Sequence, residues 1–301
     1  MFDEEAVIPL FTARLRPLLD GLGRRYEVVV VDDGSRDTTP AMLEKARRDW
    51  PQLRVIRLRA NAGHQAALSA GLQRARGTWV ATIDADLQDP PETLAEMLVQ
   101  AEAGGADVAY GVRNDRSSDS AFKRLTAAAY YRMMRRMVGS HVPADAGDFR
   151  LMSRATVDAV NRLPEQNRVL RLVVPALGFP SVQVPYRRDE RAAGSTKYPL
   201  SRMIRLSVDS LTGFSIAPLR LATWFGLGGA VVTAIMLALA VGAFLTGHTV
   251  PGWTSTFVAV ATVGAIQLLC LGLLGEYVGR LYTQLQGRPT YYVAYDSQDE
   301  D

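Results

Sequence analysis

The 301-residue sequence contains a single cysteine, Cys270, which lies within a long apolar run. One cysteine excludes a disulfide within the chain and argues against a structural zinc site. The sequence also lacks internal repeats and low-complexity linkers. Its first residues, Met1–Glu5, are acidic, so they do not have the basic and then apolar pattern of a secretory signal.

Charged residues are absent from two long segments, residues 221–245 and 253–274, the second of which contains Cys270. Helices of these lengths would be about 37 and 33 Å long, and a hydrocarbon core is about 30 Å thick. The short segment between them, residues 246–252, contains Gly and Pro but no Lys or Arg. The pattern predicts a hairpin of two transmembrane helices; a pair of buried core helices is the alternative.

Basic residues are distributed very unevenly around this hairpin. Of the 34 Lys and Arg residues, 32 precede or border the first apolar segment, and only Arg280 and Arg288 follow the second. The positive-inside rule therefore places both chain ends in the cytoplasm. We expect a multi-pass protein of the inner (plasma) membrane with its large soluble part on the cytoplasmic side.

Two basic segments, residues 120–137 and 199–214, carry apolar side chains at roughly helical spacing. Basic amphipathic helices close to a membrane span are typical of interfacial helices on anionic lipid, and ordinary core-facing helices are the alternative. No nucleic-acid-binding motif accompanies these segments, so nucleic acid is not an expected partner.

The residues before the apolar segments alternate between strand and helix patterns. Strands are predicted at 27–31, 54–58, 79–83 and 107–111, and helices at 39–49, 65–74 and 91–103. Continuous apolar strands alternating with helices indicate a parallel sheet covered on both faces, in which ligands bind beyond the carboxyl ends of the strands. Asp32 and Asp33 follow one strand, and Asp84 and Asp86 follow another. Both acidic pairs are therefore expected in one crevice.

Asp84 and Asp86 form the strongest chemical signal in the sequence. They are two residues apart, so in an extended segment their side chains lie on the same side. Two such carboxylates repel each other unless a cation or a proton lies between them. Mg²⁺ and Mn²⁺ prefer oxygen ligands, and Mg²⁺ commonly uses one or two carboxylates together with substrate phosphates. The pair predicts a divalent metal that holds a diphosphate; a strand-end turn before the helix at Pro90-Pro91 is the alternative.

Five ordered segments resemble motifs of the family 2 glycosyltransferases of GT-A fold: Val29–Thr39, Asn61–Ala67, Asp84–Glu92, Asp145–Leu151 and Gly194–Tyr198. With the apolar hairpin, nearly the whole chain resembles the bacterial polyprenyl-phosphate glycosyltransferases, which include bactoprenol glucosyltransferases and dolichol-phosphate-mannose-synthase-like enzymes. The resemblance implies an α/β, Rossmann-like domain with a mixed, mainly parallel sheet. The implied divisions are a catalytic domain at 1–196, an interfacial helix at 197–218, two transmembrane helices within 219–276 and a cytoplasmic tail at 277–301, whose acidic end, 296–301, is expected to be disordered.

One feature departs from the family pattern. Family members begin with a strand that ends in a Pro-x-aromatic-Asn-Glu segment, and Met1–Glu5 matches only the end of it. That strand lies inside the sheet, so its loss would expose backbone edges and open the core. We therefore expect the true start to lie upstream of Met1, and weak folding or lost activity in the shorter form.

The resemblance implies inverting transfer of a sugar from a nucleotide-sugar, expected to be a UDP-sugar such as UDP-glucose, to a polyprenyl (undecaprenyl) phosphate. The product would be a lipid-linked sugar for cell-envelope glycan or glycolipid modification. A homo-oligomer such as a tetramer is also implied. The alternatives are a GDP-mannose-using mannosyltransferase and a catalytically inactive nucleotide-sugar-binding membrane protein. A processive polysaccharide synthase is disfavoured because the Gln-x-x-Arg-Trp motif is absent.

On the donor side, the resemblance makes Asp86 the main ligand of Mg²⁺ or Mn²⁺ and Gln88 a third oxygen ligand. Asp84 is assigned to the metal or to sugar hydroxyls. The metal would neutralise the leaving diphosphate. The nucleotide-binding residues implied by the resemblance are Asp32, Asp33, Glu5, Lys197 and Arg191.

On the acceptor side, a phosphate monoester has a second pKa near 6, so it is mostly dianionic at pH 7 and needs little deprotonation. Two phosphorylated substrates repel each other, so the site needs cations to bring them together. Arg suits this role because its guanidinium can bind two phosphate oxygens at once. Arg113, Arg124 and Ser195 are assigned to the acceptor phosphate. Asp148, catalytic together with Asp84 and Asp86, is assigned to contact the acceptor or act as base; a structural pair with Arg150 is its alternative. His64 is taken as a loop or packing residue.

Overall fold

The computed structural model describes residues 1–114, 146–165, 168–189, 217–247 and 252–299. These residues form eight helices: α1 Ile8–Gly21, α2 Thr39–Asp49, α3 His64–Arg74, α4 Thr93–Gly104, α5 Arg154–Arg162, α6 Leu170–Ala176, α7 Ala217–Leu245 and α8 Trp253–Leu285. They also form seven strands: β1 Val28–Asp32, β2 Leu53–Leu58, β3 Trp79–Thr82, β4 Val108–Arg113, β5 Ala146–Ser153, β6 Ser181–Tyr186 and β7 Val293–Asp296. Two compact units result, Met1–Lys197 with Pro289–Asp301, and Tyr198–Arg288.

The first unit contains two mixed sheets, with strand orders β1-β2-β7 and β3-β5-β4-β6. β1 with β2 and β4 with β6 pair in parallel, whereas β2 with β7, β3 with β5 and β4 with β5 pair antiparallel. The α/β class and the mixed sheet are confirmed. The antiparallel strands β5 and β7 were not foreseen, and β5 is the strand that carries Asp148.

Both faces of the sheets are covered, as the continuous apolar strands predicted. Val30 packs in a cluster with Leu43 of α2 and Phe11 of α1, while its neighbour Val31 packs with Ala67 of α3 on the other face. Successive side chains of a strand point to opposite faces, so an uninterrupted Val run is what a doubly covered strand requires. This burial orients β1 so that Asp32 and the residues after it emerge at one sheet edge.

Residues 296–299 of the acidic C-terminal end are packed within the first unit. β7 pairs antiparallel with β2, Asp296 accepts hydrogen bonds from the Arg54 guanidinium, and Ser297 Oγ accepts one from Val55 N at 3.0 Å. Asp296 and Ser297 are both buried. The expectation of a disordered acidic end is therefore wrong for residues 296–299, because a buried guanidinium compensates the buried carboxylate.

The second unit is formed by α7 and α8, which pack against each other. Within them, Ala222–Leu239 and Val258–Leu285 are long and apolar enough, by length and composition, to cross a membrane. Their large apolar side chains are exposed, among them Trp224, Leu239 and Leu269. α8 continues past the predicted end at 274, and there Glu276 and Arg280 form an ion pair at 2.9 Å.

Candidate functional site

The acidic pair at the end of β1 fixes a neighbouring loop. Asp33 accepts hydrogen bonds from Ala62 N at 2.7 Å and Gly63 N at 2.9 Å, one on each carboxylate oxygen. Asp32 Oδ1 accepts from Ser35 N at 2.9 Å, and its Oδ2 lies 3.3 Å from Arg57 Nε. Both carboxylates are buried. Their described contacts are structural, and their binding of a nucleotide stays a prediction.

The loop held by Asp33 leads directly into α3 and brings His64 into the crevice. His64 Nε2 lies 3.1 Å from Asp148 Oδ2 and 3.8 Å from Asp84 Oδ1. The loop therefore links Asp33 of the acidic pair after β1 with Asp84 after β3. That both acidic pairs line one crevice stays a prediction. The His64 side chain is half-exposed and contacts two of the predicted site residues, Asp84 and Asp148. A residue with only a packing role would need neither contact.

The turn after β3 has a fixed and unusual shape. Asp86 Oδ1 accepts a hydrogen bond from Gln88 N at 3.1 Å, and between them Leu87 adopts the left-handed region with φ +57°. That conformation costs a non-glycine residue about 1–2 kcal/mol. The buried Leu87 side chain compensates this cost by packing in the core. Gln88 Oε1 accepts from Arg188 Nη2, and the Gln88 carbonyl accepts from Asp189 N at 2.9 Å.

Asp84 sits in a concentration of negative charge. Partial burial raises the pKa of the Asp84 carboxyl, and nearby Asp148 and Asp86 raise it further, while His64 acts in the opposite direction. A divalent cation would relieve this repulsion. Among the residues that the structure describes, no group of three or more His, Cys, Asp or Glu side chains could hold a metal ion. Mg²⁺ commonly combines one or two carboxylates with substrate phosphates, so the binding of a divalent ion by Asp84 and Asp86 stays a prediction.

Buried groups hold both the backbone and the side chain of Asp148 in place. It precedes the β5 residues that pair with β3, and Thr82 Oγ1 donates a hydrogen bond to the Asp148 carbonyl. Arg150, which is fully buried, donates from Nη2 to Asp148 Oδ1 at 2.7 Å and from Nη1 to the Leu170 carbonyl at 2.7 Å. The structural pair with Arg150, considered as the alternative role of Asp148, is therefore present.

The second oxygen of Asp148 meets three further groups. Gln65 Nε2 donates to Oδ2 at 3.0 Å, His64 Nε2 lies 3.1 Å away, and Arg171 Nη2 lies 3.7 Å away. Burial alone would raise the pKa of the Asp148 carboxyl, but the His64 hydrogen bond and the Arg150 and Arg171 charges hold it well below its usual range. The hydrogen bond to Asp148 in turn raises the pKa of His64.

Arg113, predicted to bind the acceptor phosphate, lies at the end of β4 beside the Asp148 strand. Its Nε donates to the Tyr186 hydroxyl at 3.3 Å, and its Nη2 lies 3.8 Å from the buried carboxylate of Asp89. A side chain at Gly147 would lie 3.5 Å from Arg113 Nη2. The geometry therefore brings Arg113 next to the residue that precedes Asp148.

Glu5, predicted to bind nucleotide, supports the start of α2 in this structure. Its Oε2 accepts from Thr38 Oγ1 at 2.5 Å and from Thr38 N at 3.2 Å. Nearby, the Met1 amine donates to the Val31 carbonyl at 2.7 Å, and Asp33 N donates to the Met1 carbonyl at 2.8 Å. Residues 3–7, with Arg36 and Asp37, line an open cavity of about 530 Å³.

Several predicted site residues lie outside the described residues: Arg124, Arg191, Ser195 and Lys197, with both predicted interfacial helices. Conversely, sequence reasoning missed Gln65 and Arg171 and undervalued His64. His64 and Gln65 could have been found from the sequence, because they belong to Asn61–Ala67, which resembles a family motif. Arg171 had no local signal, since its proximity to Asp148 depends on how α6 packs against β5.

Comparison with known proteins identifies the family of the chain. Residues 1–160 match the family described as glycosyl transferase family 2. The chain is 40% identical to the uncharacterized glycosyltransferase YkcC of Bacillus subtilis, over 97% of this chain and 91% of that protein. It is 34% identical to the SfII prophage-derived bactoprenol glucosyl transferase of Shigella flexneri, over 97% and 95%.

Among solved structures, it is similar to glucosyl-3-phosphoglycerate synthase from Mycobacterium tuberculosis in complex with Mn²⁺ and UDP-glucose. The TM-score is 0.44, with 21% identity, over 70% of this chain and 74% of that one. The family match covers more than half of the chain and includes the strand ends that carry Asp32, Asp33, Asp84, Asp86 and Asp148. The chain therefore belongs to glycosyl transferase family 2 and is a glycosyltransferase.

Proposed function

We propose that this glycosyltransferase transfers a sugar from a UDP-sugar, such as UDP-glucose, to a polyprenyl phosphate at the cytoplasmic face of the inner membrane. The similarity to bactoprenol glucosyl transferases over nearly the full length of both chains supports a lipid carrier as acceptor. The observation that carries the proposal is the arrangement of charges in the proposed crevice, where His64 Nε2 approaches both Asp84 and Asp148 and Arg171 lies 3.7 Å from Asp148. Such a crevice suits one metal-bound diphosphate and one further anion.

The donor side is assigned to the acidic turn after β3. Asp84 and Asp86 are the residues that would hold Mg²⁺ or Mn²⁺, and Gln88 would join them after exchanging its contact with Arg188. When bound, the ion supplies neutralisation of the leaving diphosphate. Asp33 keeps the loop before α3 in place, and the proposed nucleotide contacts come from Asp32, Asp33, Glu5, Arg191 and Lys197.

The acceptor side requires positive charge more than a base. The acceptor phosphate is mostly dianionic at pH 7, so its oxygen attacks the anomeric carbon without first losing a proton. The bond to the nucleoside diphosphate breaks with its electron pair, and a single displacement inverts the anomeric configuration. Arg113 lies beside the Asp148 strand, where it can meet this phosphate, and Arg124 and Ser195 are proposed to assist it.

The path of the chain supports a membrane topology with an even number of crossings. β7 follows α8 but pairs with β2, which precedes α7. Both sides of the helix pair therefore belong to one folded unit, and an even number of membrane crossings is needed to bring them together. We propose that α7 and α8 each span the inner membrane once and that the catalytic unit is cytoplasmic. A homo-oligomer such as a tetramer is proposed from the family resemblance alone.

The reaction is tested by nucleoside diphosphate release from the purified full chain in detergent with Mg²⁺. UDP-, GDP- and dTDP-sugars are each supplied with and without undecaprenyl phosphate. We expect release that requires both the lipid and a UDP-sugar, and a product of inverted configuration by NMR. Release only from GDP-mannose would instead identify a mannosyltransferase. Tight UDP binding without release from any donor would identify an inactive binding protein.

A further inference from the structure

Hydrogen-bonding and ionic partners approach both oxygens of the Asp148 carboxylate. A carboxylate offers about four lone-pair positions, and four groups among the described residues surround this one. Arg150 contacts Oδ1, while Gln65, His64 and Arg171 approach Oδ2. The Asp148 side chain is only 4% exposed. A general base needs an accessible oxygen within hydrogen-bond reach of the substrate proton, and this carboxylate offers little such access.

Arg171 differs from the other charged partner of Asp148. Arg150 is fully buried, and its Nη groups donate hydrogen bonds to Asp148 and to backbone carbonyls. The Arg171 side chain is 41% exposed, lies 3.7 Å from Asp148 Oδ2, and its buried Nε has no hydrogen-bond partner among the described residues. Arg171 is therefore held near the carboxylate while part of its planar set of five donors stays accessible to a ligand.

The backbone around Arg171 is tied to the same cluster. Leu170 N donates to Gln65 Oε1 at 2.8 Å, and the Leu170 carbonyl accepts from Arg150 Nη1. Gln65 and Arg150 both contact Asp148 as well. The position of Arg171 at the start of α6 is thus fixed by side chains that Asp148 itself orients, so a change at Asp148 would be transmitted to Arg171.

The charges of the cluster favour an anion. Arg150 balances the charge of Asp148, and Arg171 then adds one positive charge beside it. Asp84 also lies close to this cluster, because the same nitrogen, His64 Nε2, is 3.1 Å from Asp148 Oδ2 and 3.8 Å from Asp84 Oδ1. A guanidinium in this position suits a phosphate, because its donors match phosphate oxygens in pairs.

We propose that Arg171 binds the phosphate of the lipid acceptor, and that Asp148 is a positioning residue that holds Arg171, His64 and Gln65 and does not accept a proton. This inference rests on the proposed function. The attacking phosphate oxygen forms its bond to the anomeric carbon, and the electron pair of the broken bond leaves with the nucleoside diphosphate. The dianionic acceptor has no proton to transfer, so the reaction balances without a base at Asp148.

The first test compares Arg171→Gln and Arg171→Lys with Arg162→Gln. Arg162 is an exposed arginine at the end of α5, outside the cluster, so its variant controls for the loss of one positive charge. Initial rates are measured first with the undecaprenyl phosphate concentration varied at saturating UDP-sugar. They are then measured with the UDP-sugar concentration varied at saturating undecaprenyl phosphate. We expect Arg171→Gln to raise the acceptor KM about 10- to 100-fold, the range for a charged hydrogen bond, with the donor KM within about twofold.

The Lys variant should recover part of the acceptor affinity, because it restores the charge but not the planar donor set. Arg162→Gln should behave like the wild type. An unchanged acceptor KM in Arg171→Gln would overturn the proposal, and so would an equal rise in the donor KM, which would assign Arg171 to the donor diphosphate. A wild-type enzyme that does not use undecaprenyl phosphate would instead refute the proposed function, so the two failures are distinguishable.

The second test addresses Asp148 through Asp148→Asn. A positioning residue predicts a raised acceptor KM with most of kcat retained at saturating acceptor. A general base predicts a loss of about 10²- to 10⁴-fold in kcat with little change in the acceptor KM, and that result would overturn the positioning role. Unchanged UDP binding by calorimetry confirms folding of the variant. The half-exposed Arg171 keeps the first test decisive even if Asp148→Asn fails to fold.

Discussion

Arg54 and Asp296 are 242 positions apart in the chain and form a two-point ion pair, with Arg54 Nε and Nη2 at 2.8 and 2.6 Å from the two carboxylate oxygens. Arg74 Nε adds a third contact at 3.2 Å. Both members of the pair are buried. The pair fastens the residues after the apolar helices to β2, so the catalytic unit is closed by its own C-terminal strand.

Removing the carboxylate of this pair should destabilise the catalytic unit. Breaking one partner of a buried pair costs about 3–5 kcal/mol, because the other charge stays buried without compensation. We expect Asp296→Ala to lower the free energy of unfolding by about that amount, measured by urea unfolding in detergent. Asp299→Ala is the control, since Asp299 is exposed. Equal stability of the two variants would show that β7 does not depend on the pair.

The same pair predicts a pH dependence of stability. The hydrogen bonds from Arg54 lower the pKa of Asp296, although burial opposes them. A carboxyl whose folded pKa is lower than its unfolded value contributes stability above the unfolded pKa, about 3.9, and this contribution is lost as the pH falls through the folded pKa. The stability difference between the wild type and Asp296→Asn should therefore shrink below about pH 4. A difference that stays constant from pH 6 to pH 3 would contradict this assignment.

The elements predicted most accurately are those with local signals. The bounds of α2 agree at both ends, with Pro40 in its first turn, and the strand predictions agree within two residues. Apolar runs and helix-start residues carry this information within a few positions. By contrast, β7 is four residues long and its Asp296 is buried only because Arg54 and Arg74 lie opposite it. No local pattern encodes such a pairing.

The candidate site divides in the same way. Asp84 and Asp86 were identified because two carboxylates at a strand end are a chemical signal in themselves. Of the partners of Asp148, only Arg150, two residues away on the same strand, was considered from the sequence, whereas Gln65 on α3 and Arg171 on α6 come from separate elements and were not identified. Their convergence follows from the antiparallel pairing of β5, which alternating strand and helix patterns did not reveal.

Gly34 is predicted to tolerate no side chain. Its φ is +72°, and a Cβ would lie 2.7 Å from Ala60 C and 2.8 Å from Asn61 N, both backbone atoms. Gly105 is a matched control, because its φ is +58° and nothing lies within 4 Å of a Cβ there. We expect Gly105→Ala to cost about 1–2 kcal/mol from φ alone, and Gly34→Ala to cost about 1–3 kcal/mol more from overpacking.

Donor binding extends the test of Gly34. The displaced backbone at Ala60 and Asn61 precedes the amides that Asp33 holds, so Gly34→Ala should also weaken UDP binding by calorimetry. Gly105→Ala should leave UDP binding unchanged. Similar losses of stability in the two variants would contradict this prediction. They would mean that the backbone at Ala60 and Asn61 moves away from the new Cβ without a cost in free energy.

Sugar transfer is expected to depend on a divalent metal held by Asp86 and Asp84. If these carboxylates hold the ion, removing metal with EDTA should abolish sugar transfer, and adding Mg²⁺ or Mn²⁺ should restore it. Charge neutralisation by a bound metal is worth several kcal/mol, so Asp86→Asn should lower kcat/KM for the donor by about 10³-fold or more. Asp84→Asn should also lower it, and the half-maximal metal concentration should rise in both variants.

Asp49→Asn serves as the control, because it removes an exposed carboxylate at the end of α2, away from the turn. Its metal titration should overlay that of the wild type. Folding of each variant is checked by UDP binding in the absence of metal and by thermal unfolding. Wild-type transfer that survives EDTA, or an Asp86→Asn variant with unaltered metal affinity, would show that the repulsion around Asp84 is relieved by a proton or by His64 and not by a divalent ion.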